Sequence, residues 1–397
     1  MVSILADKDA VERSIEKLLV VLQQNDAKFA PGLVVRCSNG NLSLEAPRGG
    51  EGAPLCRLPE ACLIPTDKFE LALADDDIVI RSHDSDVTSV VVELTESMLE
   101  IYNLAGKIAE HGLSASCLFL AAHPGLRDAV LEGRSSGAPG DLAVPLLSGT
   151  PDLPKLKLDS FLKARTMRYL RPGDAPSHSS AVLMPVIDFL NHDFLGSSYD
   201  HETEGASRFI SVRVARPHPG EGLECYGCYG PYDELDTWLN YNFVDSAAPF
   251  LRSAPLVINL GRLGNIAVAA FAGSSEGPLP DHLKDLGFYF PARVIRDRRG
   301  ITVSSLIIPG PYAPRSLRRV LGHLIGELDF EYRNHLSLVE AAEAEILGKN
   351  QVYFESLAAS LKKTNPADPW WSATIAALQA TCGRRLERLD AYRHMAK

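Results

Sequence analysis

The chain has 397 residues, of which 46% are hydrophobic and 23% are charged, and its formal net charge is -10. A chain of this length and composition can form two or three domains, each with a buried core. The negative charge and the lack of a dense run of Lys and Arg argue against nucleic acid as the main partner.

The sequence favours an intracellular location. No run approaches the roughly 18 apolar residues that a membrane span requires, and residues 1–14 lack the basic and apolar regions of a signal peptide. Seven cysteines scattered along the chain do not form the pattern of a disulfide-stabilised domain. We therefore expect a cytoplasmic protein with reduced thiols, no membrane association and a monomeric state.

The first quarter of the chain alternates between helical and strand patterns. Apolar residues at helical spacing predict an amphipathic helix over 9–24, with a capping box formed by Asp9 and Glu12. Strands are predicted at GLVVRCS (32–38), NLSLEA (41–46), PLCRLPEACLIP (54–65), DIVIRS (77–82) and SVVVEL (89–94). The segment ESMLEIYNLAGKIAEH (96–111) predicts a helix.

The middle of the chain contains two loops and a group of strands. Their composition predicts loops at GRSSGAPGD (133–141) and RPGDAPSHSS (171–180), with a helix at FLKARTMRYL (161–170) between them. Strands are predicted at AVLMPVI (181–187) and FISVRVAR (209–216). A segment rich in glycine and tyrosine, ECYGCYGPYDELDTWLNYNF (224–243), follows.

The last part of the chain passes from strands to helices. Strand patterns occur at PLVINLG (255–261), GFYFPARVI (287–295) and GITVSSLIIP (300–309). From Pro314 an apolar stripe over 317–328 predicts an amphipathic helix. Asp368 and Pro369 form an N-cap and first-position pair that predicts the start of a last helix.

A pair of cysteines, Cys225 and Cys228 in CYGC, is the first candidate for chemistry. Two thiols at this spacing can hold zinc or act as a redox pair. A structural zinc site needs two more ligands at matching spacing, and the sequence has no second CxxC and no HxxxH. Strand alternation also places the two thiols on opposite faces, so structural cysteines are favoured and no metal is expected.

Three polar residues, Asp188, Asn191 and His192, directly follow the hydrophobic run AVLMPVI. By themselves they are compatible with an ordinary polar strand end. On a helix, Asp188 and His192 would share one face as metal ligands, but the β-branched run before them favours a strand and a loop. A metal-dependent hydrolase built on these two residues and His201 lacks a third well-spaced ligand.

Tyrosines set among glycines form the third candidate: Tyr226, Tyr229 and Tyr232. A tyrosine hydroxyl can donate or accept a hydrogen bond near a reacting centre, and neighbouring glycines allow the backbone to approach a ligand closely. Tyr-Gly pairs also occur at ordinary turns. This segment alone therefore does not identify a function.

Together these pieces resemble the paired motifs of SET-domain methyltransferases. They are most similar to the branch that includes the Rubisco large-subunit lysine methyltransferase and the actin-histidine methyltransferase. The matching residues, in chain order, are APLCRLPEACLIP (53–65), ARTM (164–167), Pro185 with Asp188, Asn191 and His192, Gly220–Glu221, Tyr229–Gly230, Glu234–Leu235, and Tyr241 with Phe243.

The chain also departs from this family in three places. The early Gly-x-Gly of the family, whose backbone cradles the cofactor, should fall near Asn41–Ser43 and is absent. The glycine of the usual Tyr-Gly-Phe is replaced by Asn242. Spacing after Gly220–Glu221 leaves two candidates for the motif tyrosine: Tyr229, which has the right distance to Phe243, and Tyr226.

The resemblance implies an α+β fold in two domains. A SET domain would cover residues 9–247, with a β-rich core interrupted by a mainly helical insert at about 66–180. A largely α-helical C-terminal domain, residues 248–397, would bind the protein substrate.

The resemblance further implies transfer of a methyl group from S-adenosyl-L-methionine to a side-chain nitrogen, lysine or histidine, of a protein. Tyr229 would be the catalytic residue that lines the transfer channel. Arg165, Asn191, His192 and Tyr241 would bind the cofactor. Asp188, through its carbonyl, and Tyr226 would contact the substrate. The alternative is a SET-fold protein that binds a partner with weak or no methyl transfer, because the Gly-x-Gly is missing.

Overall fold

The structure is a computed structural model that describes residues 2–134, 145–146, 151–170, 179–216, 222–270, 281–291, 293–298, 300–311, 313–328, 335–364 and 369–395. Within these ranges the α-helices are α1 (Asp9–Gln24), α2 (Ser89–Leu104), α3 (Lys107–Ser114), α4 (Ser116–Ala122), α5 (Pro124–Arg134), α6 (Leu153–Lys163), α7 (Glu234–Tyr241), α8 (Ser316–Leu328), α9 (Leu336–Lys363) and α10 (Pro369–Met395). Short 3₁₀ helices span Glu60–Cys62, Thr66–Lys68, Ile187–Phe189, Gly261–Leu263 and Asp281–Tyr289.

The strands are mostly short. They are β1 (Ser3–Ala6), β2 (Lys28–Phe29), β3 (Val34–Ser38), β4 (Asn41–Glu45), β5 (Pro54–Pro59), β6 (Ile64–Pro65), β7 (Phe69–Ala74), β8 (Asp77–His83), β9 (Thr166–Tyr169), β10 (Ser180–Leu183), β11 (Asn191–Ser197), β12 (Tyr199–Glu204), β13 (Ser207–Arg213), β14 (Glu224–Gly227), β15 (Phe250–Arg252), β16 (Leu256–Asn259), β17 (Asn265–Ala269), β18 (Arg293–Asp297), β19 (Gly300–Ser304) and β20 (Ile307–Pro309). Helices and small sheets occur side by side, so the predicted α+β class is confirmed.

The chain divides into two compact units. The first comprises Met1–Ala115 and Asp152–Pro231, and the second comprises Ser116–Pro151 and Tyr232–Lys397. The proposed SET domain and C-terminal domain, with their boundary at 247 and 248, remain a prediction about function. No helix in the described ranges combines the length and the apolar character that a bilayer span requires.

The first unit contains the sheets that position the candidate site. One sheet has the strand order β1-β3-β4-β14-β11, a second has β12-β13-β5-β2, and a third has β6-β10-β9, while β7 and β8 form a hairpin. The pairs β1–β3 and β11–β14 are parallel. The core of this unit includes the buried face of α1, with Ile15, Leu18 and Leu22 fully enclosed.

The second unit has a sheet of order β16-β17-β19-β18, a two-stranded pair β15–β20, and the helices α4, α5 and α7 to α10. Helix α8 presents the predicted apolar stripe, and its Leu317, Val320, Leu321, Leu324 and Ile325 are buried. The amphipathic pattern therefore predicted this helix correctly.

The N-terminus of α7 carries a buried group of charges. Asp233 caps the helix through Leu235 N and Asp236 N at 3.0 Å each. Asp233 Oδ2 also accepts from Arg134 Nη2 at 3.0 Å and from the backbone N–H of Arg252 at 2.8 Å. Arg385 on α10 lies within 3.7 Å of Asp233, and both side chains are fully enclosed. These contacts fasten α10 and β15 to the start of α7.

Two predictions in the N-terminal region are wrong. Helix α1 has the predicted bounds, but its N-cap is Lys8 and no side chain caps it, so Asp9 and Glu12 form no capping box. The predicted strand SVVVEL is the first part of α2. The Thr88 hydroxyl accepts from Val91 N at 3.3 Å, and this N-cap, with burial at Val91 and Leu94, outweighs the preference of β-branched residues for strands.

Two further predictions are wrong beyond residue 160. The predicted helix over 161–170 ends at Lys163, and Thr166–Tyr169 forms β9, which pairs with β10 in the register Thr166↔Leu183. The predicted strand over 287–295 contains the end of a 3₁₀ helix and the start of β18. Residues 166–169 form a strand because they pair with β10, and the local spacing of apolar residues gives no information about such long-range pairing.

Several predicted features lie outside the described residues. These are the loop over 135–141, the loop over 171–178, the motif pair Gly220–Glu221 and the N-cap Asp368.

Candidate active site

Asp188 is positioned by a strained turn at the end of β10. The predicted strand AVLMPVI stops at Leu183, and the N–H of Ile187 donates to the carbonyl of Pro185 at 2.8 Å. Val186, between them, is fully buried with φ 67° and ψ -45°. A β-branched residue rarely adopts this rare form of γ-turn, which costs on the order of 1–3 kcal/mol. The surrounding packing holds the turn, and the 3₁₀ helix that carries Asp188 begins directly after it.

The carboxylate of Asp188 lies between a tyrosine and an arginine. Asp188 Oδ2 accepts from the Tyr102 hydroxyl at 2.6 Å and from Arg165 Nη1 at 2.7 Å. The Asp188 side chain is 7% exposed and that of Arg165 is 21% exposed. The Arg165 guanidinium also lies 5.0 Å from the ring centroid of Tyr102 and 4.8 Å from that of Phe161.

This environment changes the proton affinity of both charged groups. Burial raises the pKa of the Asp188 carboxyl, although the Arg165 charge and the Tyr102 hydrogen bond oppose it. Burial alone would lower the pKa of Arg165, but the Asp188 charge outweighs it and raises that pKa. Arg165 thus stays cationic, and it is the member of the pair that solvent can reach.

Asn191 and His192 begin β11, which runs parallel to β14. In register, Asn191 lies opposite Tyr226 and His192 opposite Gly227. The Asn191 amide donates to Glu224 Oε1 at 2.7 Å. His192 Nδ1 accepts from the backbone N–H of Tyr229 at 3.1 Å, which places the proton of a neutral imidazole on Nε2. The asparagine–histidine motif is therefore in direct contact with the tyrosine segment.

Tyr229 is held at both ends. Its backbone bonds to His192, and its hydroxyl donates to the carbonyl of Leu190 at 2.6 Å. The Tyr229 and His192 ring centroids lie 4.9 Å apart. Burial, followed by the Asp188 charge, raises the pKa of Tyr229, so the phenol stays protonated at neutral pH.

Tyr226 lies three residues before Tyr229 in the same segment and has different neighbours. Its hydroxyl donates to Glu224 Oε2 at 3.1 Å. Burial and the Glu224 carboxylate raise the pKa of Tyr226 to about 12. Tyr226, Glu224 and Asn191 thus form one hydrogen-bonded group, whereas Tyr229 belongs to the group around Leu190 and His192.

Two glycines allow the tyrosine segment to pack closely against β11. A Cβ on Gly227 would lie 3.0 Å from the Tyr199 hydroxyl, and a Cβ on Gly196 would lie 2.7 Å from the Gly227 backbone carbon. The N–H of Cys228 donates to the carbonyl of Ser197 at 2.7 Å. Glycine is needed here because β11 and the segment after β14 touch through their backbones.

Tyr241 lies in the second unit. It is the last residue of α7, and its ring centroid lies 5.5 Å from that of Tyr232 and 6.3 Å from that of Phe243. Asn242, the helix C-cap, has φ 66° and ψ 19°. Asparagine tolerates this left-handed conformation better than most residues, so it can stand where glycine is otherwise favoured. A role for Tyr241 in cofactor binding stays a prediction.

The region of the missing Gly-x-Gly is a tight hairpin. Asn39 and Gly40, with φ 51° and 78°, connect β3 to β4, so Asn41–Ser43 continue as strand. A Cβ on Gly40 would lie 2.5 Å from the Ala105 carbonyl oxygen. The glycine of this stretch therefore allows a close approach of the protein's own backbone.

The alternative metal chemistry finds no support in the geometry. Among the described residues, no group of three His, Cys, Asp or Glu side chains could hold a metal ion. Cys225 is buried, and burial raises the pKa of its thiol to about 11. His201 stacks on Tyr169, with ring centroids 5.6 Å apart.

Sequence reasoning missed three residues of this site: Tyr102, Tyr199 and Glu224. Tyr102 lies on α2, 86 positions before its partner Asp188. Burial raises the pKa of Tyr199, and Tyr229 and Asp188 raise it further. A buried tyrosine on a helix has no distinguishing pattern, whereas Glu224 could have been noticed beside the tyrosine segment.

The chain was compared with known proteins in three ways. No family model and no curated protein match it. The SET domain of LSMT bound to lysine and AdoHcy matches with a TM-score of 0.42 and 15% identity, over 97% of this chain and 91% of that chain. Rubisco LSMT bound to AdoMet matches with a TM-score of 0.40 and 14% identity, over 96% and 92%. These solved structures belong to the family that the motifs resemble.

Proposed function

We propose that this protein is a methyltransferase that uses S-adenosylmethionine to methylate a side-chain nitrogen, most simply lysine, of a protein substrate. The observation that carries the proposal is the junction of the two motifs. Tyr229 bonds through its backbone to His192 and through its hydroxyl to the carbonyl of Leu190. Two motifs separated by 37 positions are thereby joined around one tyrosine.

The cofactor supplies a methyl group on a cationic sulfur, which a neutral nitrogen can attack directly if it arrives close and in line. Tyr229 suits the task of orienting that nitrogen. Its proton is committed to the Leu190 carbonyl, so the phenol oxygen acts as an acceptor. Because its pKa is raised, Tyr229 positions the nitrogen and does not act as a base at neutral pH.

Arg165 is the residue best suited to the cofactor's carboxylate. Asp188 holds Nη1 in place, and the Arg165 side chain is 21% exposed. An arginine fixed in this way presents its remaining donors without losing further side-chain entropy. Asn191 and His192 would contribute through the backbone at the start of β11, and Asp188 and Tyr226 would lie on the substrate side.

Lysine is preferred over histidine on chemical grounds. The stem of lysine is long, flexible and apolar, and it can pass along aromatic rings to present a single nitrogen. The rings of Tyr229 and His192 lie together in the first unit, with Tyr199 close to Gly227. Histidine stays the alternative target.

The test combines binding and transfer. We expect calorimetric titration with S-adenosylhomocysteine to show one site without added metal, weakened by Arg165→Met. A cell extract incubated with the protein and isotope-labelled cofactor should gain label on a lysine nitrogen, as identified by mass spectrometry. Binding without label on any protein would contradict the proposed transfer, and label on histidine would correct the target.

Binding of a partner without methyl transfer is the second candidate, and one observation favours it. Lys107 Nζ lies 3.5 Å from Asn41 Oδ1, where the family has its Gly-x-Gly. A lysine ammonium there repels a cationic cofactor. An absence of heat and of any thermal shift at millimolar S-adenosylmethionine, which carries the cationic sulfur, would decide for this candidate.

Selection of the protein substrate is assigned to residues 248–397. The support is the long helix pair α9 and α10, which the site in the first unit does not require. Hydrogen exchange should slow within 248–397 when the substrate is added. Protection confined to residues before 248 would contradict this assignment.

The proposed setting is the cytoplasm, with the protein acting as a monomer. All seven cysteines are free thiols and six of them are buried, which suits a reducing compartment. Light scattering on the eluted protein should give the mass of one chain, 43.2 kDa. A stable dimer would contradict the monomeric state.

A further inference from the structure

Val186 adopts a backbone conformation that valine rarely takes. Its φ is 67° and its ψ is -45°, and its side chain is fully buried. The other non-glycine residues with positive φ in the described ranges are polar: Asp26, Asn39, Asp75, Asn242 and Ser305. A β-branched side chain is strained in this region, whereas Asn and Asp tolerate it. Strain of this kind persists only where the surrounding structure enforces it, and it concentrates at functional sites.

Buried apolar side chains hold the turn on both sides. Residues 182–187 and 189–190 are all buried, and Ile187 and Phe189 are each 1% exposed. Pro185, directly before Val186, has a fixed φ and no N–H, which narrows the ways in which the chain can enter the turn. The N–H of Ile187 closes the turn by donating to the carbonyl of Pro185 at 2.8 Å. Packing of the apolar side chains therefore offsets the strain at Val186.

The turn leads without a break into the residues of the candidate site. The N–H of Phe189 donates to the carbonyl of Val186 at 2.9 Å, and the N–H of Leu190 donates to the carbonyl of Ile187 at 3.0 Å. These bonds make residues 185–190 one connected piece of backbone. A change in the φ of Val186 would therefore move every group that follows it in this piece.

Two groups of the candidate site follow Val186 within four residues. Asp188 Oδ2 accepts from the Tyr102 hydroxyl at 2.6 Å and from Arg165 Nη1 at 2.7 Å. The carbonyl of Leu190 accepts from the Tyr229 hydroxyl at 2.6 Å. In the proposed function Arg165 faces the cofactor and Tyr229 faces the target nitrogen. One turn thus sets the anchor of the cofactor-binding residue and the anchor of the catalytic residue.

We infer that Val186 is a positioning residue, a role that rests on the proposed function. Its strained turn, held by the packing of its side chain, fixes the Asp188 carboxylate and the Leu190 carbonyl where Arg165 and Tyr229 need them. Glycine would adopt φ 67° without strain, but it would also permit many other conformations. A buried valine has far less freedom, since its branched side chain fits its surroundings in few orientations.

Two substitutions distinguish this role from simple filling of the core. Val186→Ala loses the packing that holds the turn but keeps a Cβ, so the strain remains and the turn relaxes. Val186→Gly loses the same packing but also loses the strain, so it should retain the native turn better than Val186→Ala. A valine that only fills space gives the reverse order, because glycine costs more backbone entropy than alanine.

The first measurement requires no cofactor. We expect the amides of Phe189 and Leu190 to exchange hydrogen slowest in the wild-type protein, faster in Val186→Gly and fastest in Val186→Ala. Denaturant unfolding should give the same order of stability. Circular dichroism should confirm that each variant is folded.

The second measurement is calorimetric titration with S-adenosylhomocysteine. Val186→Ala should weaken binding about tenfold, because only a fraction of the molecules then hold Arg165 in the binding position. Val186→Gly should weaken binding less. A higher affinity in the glycine variant than in the alanine variant is the signature of a strained turn that positions the site.

Val35 provides the matched control. It is also fully buried, but it lies within β3, where it pairs with Ile4 of β1 and Leu44 of β4. Val35→Ala should be more stable than Val35→Gly, which is the usual order in a strand. Neither folded variant should change the affinity for S-adenosylhomocysteine.

Two results would overturn the role of Val186. If Val186→Ala is at least as stable and binds at least as tightly as Val186→Gly, the side chain only fills the core. If both folded variants bind S-adenosylhomocysteine as the wild-type protein does, the turn does not position Arg165. An absence of binding already in the wild-type protein is a distinct outcome, because it contradicts the proposed function itself and overturns this role with it.

Discussion

Each unit buries a cluster of charges, and the two clusters are built differently. In the first unit Asp188 has one cationic partner, Arg165, whose side chain is 21% exposed. In the second unit Asp233 contacts Arg134 and Arg385, and these arginine side chains are at most 3% exposed. The first cluster leaves a cation accessible to a ligand, and the second encloses its cations completely.

The pKa values of Asp188 and Asp233 shift in opposite directions because the two carboxyls have different numbers of cationic partners. Burial acts to raise the pKa of both carboxyls. At Asp188 burial prevails over one arginine, and the pKa is raised. At Asp233 the charges of Arg385 and Arg134, together with the Arg252 N–H, outweigh burial and lower the pKa. A buried acid surrounded by several cations stabilises the fold, whereas a buried acid with a single solvent-accessible cation suits a binding site.

The largest expected effect concerns the buried ion pairs around Asp233 in the second unit. Arg385→Met should destabilise that unit by roughly 3–5 kcal/mol, because buried acids lose a partner that cannot be replaced by water. Denaturant unfolding measures the loss. The control is Arg319→Met, whose side chain is 40% exposed in its pair with Asp285 and should cost at most about 1 kcal/mol. Equal costs would show that enclosure does not distinguish the two arginines.

The second prediction concerns Tyr229 in the first unit. Tyr229→Phe should lower turnover on the order of 10²-fold, about 2.7 kcal/mol, because a group that orients the reacting nitrogen is lost. Stability should fall by only about 1 kcal/mol, from the lost bond to Leu190. Tyr226→Phe is the comparison: because Tyr226 is assigned to the substrate side, this variant should raise KM and leave kcat nearly unchanged. A loss confined to Tyr226→Phe would assign the motif role to Tyr226.

The third prediction concerns the acid sensitivity of the first unit. Burial, followed by the charge of Arg165, lowers the pKa of His111 to about 3 from 6.5. Below pH 6.5 the unfolded chain takes up a proton that the folded chain does not, so stability is lost as pH falls toward 3. At pH 4.5 this loss relative to pH 7 should reach about 2.5 kcal/mol.

His111→Gln tests this pH dependence, since glutamine can still bond to the Ser160 hydroxyl but does not titrate. The unfolding free energy at pH 7 and at pH 4.5 is measured for both proteins. The difference between the two pH values should be smaller in the variant by the amount assigned to His111. An identical pH dependence would show that His111 takes up its proton without unfolding.

The smallest expected effect concerns Tyr102. Tyr102→Phe removes a hydrogen bond to a charged group and should cost about 1–2 kcal/mol of stability. Arg165 should then be less firmly held, so affinity for S-adenosylhomocysteine should fall a few-fold in calorimetry. Tyr169→Phe is the control, because it loses a similar bond, to Glu60 at 2.9 Å, outside the Asp188 cluster. Equal loss of affinity in both variants would remove the special role of Tyr102.

Local patterns in the sequence identified part of this molecule. The amphipathic spacing over 9–24 and 317–328 predicted α1 and α8, because a helix that buries one face must repeat its apolar residues every three to four positions. The same reasoning failed at SVVVEL, where three adjacent valines show a preference for strands that the cap at Thr88 and the packing of α2 override. Residue preference is weak compared with burial.

The chain order of Asp188, Asn191, His192 and Tyr229 was sufficient to propose a site and a chemistry, since each motif is short and contiguous. Tertiary structure alone decided how these residues meet. The hydrogen bond from Tyr229 to His192 spans 37 positions and that from Tyr102 to Asp188 spans 86. Contacts at such separations depend on which strands pair and which helix covers them. The local spacing of residues in the sequence determines neither the pairing nor the covering helix.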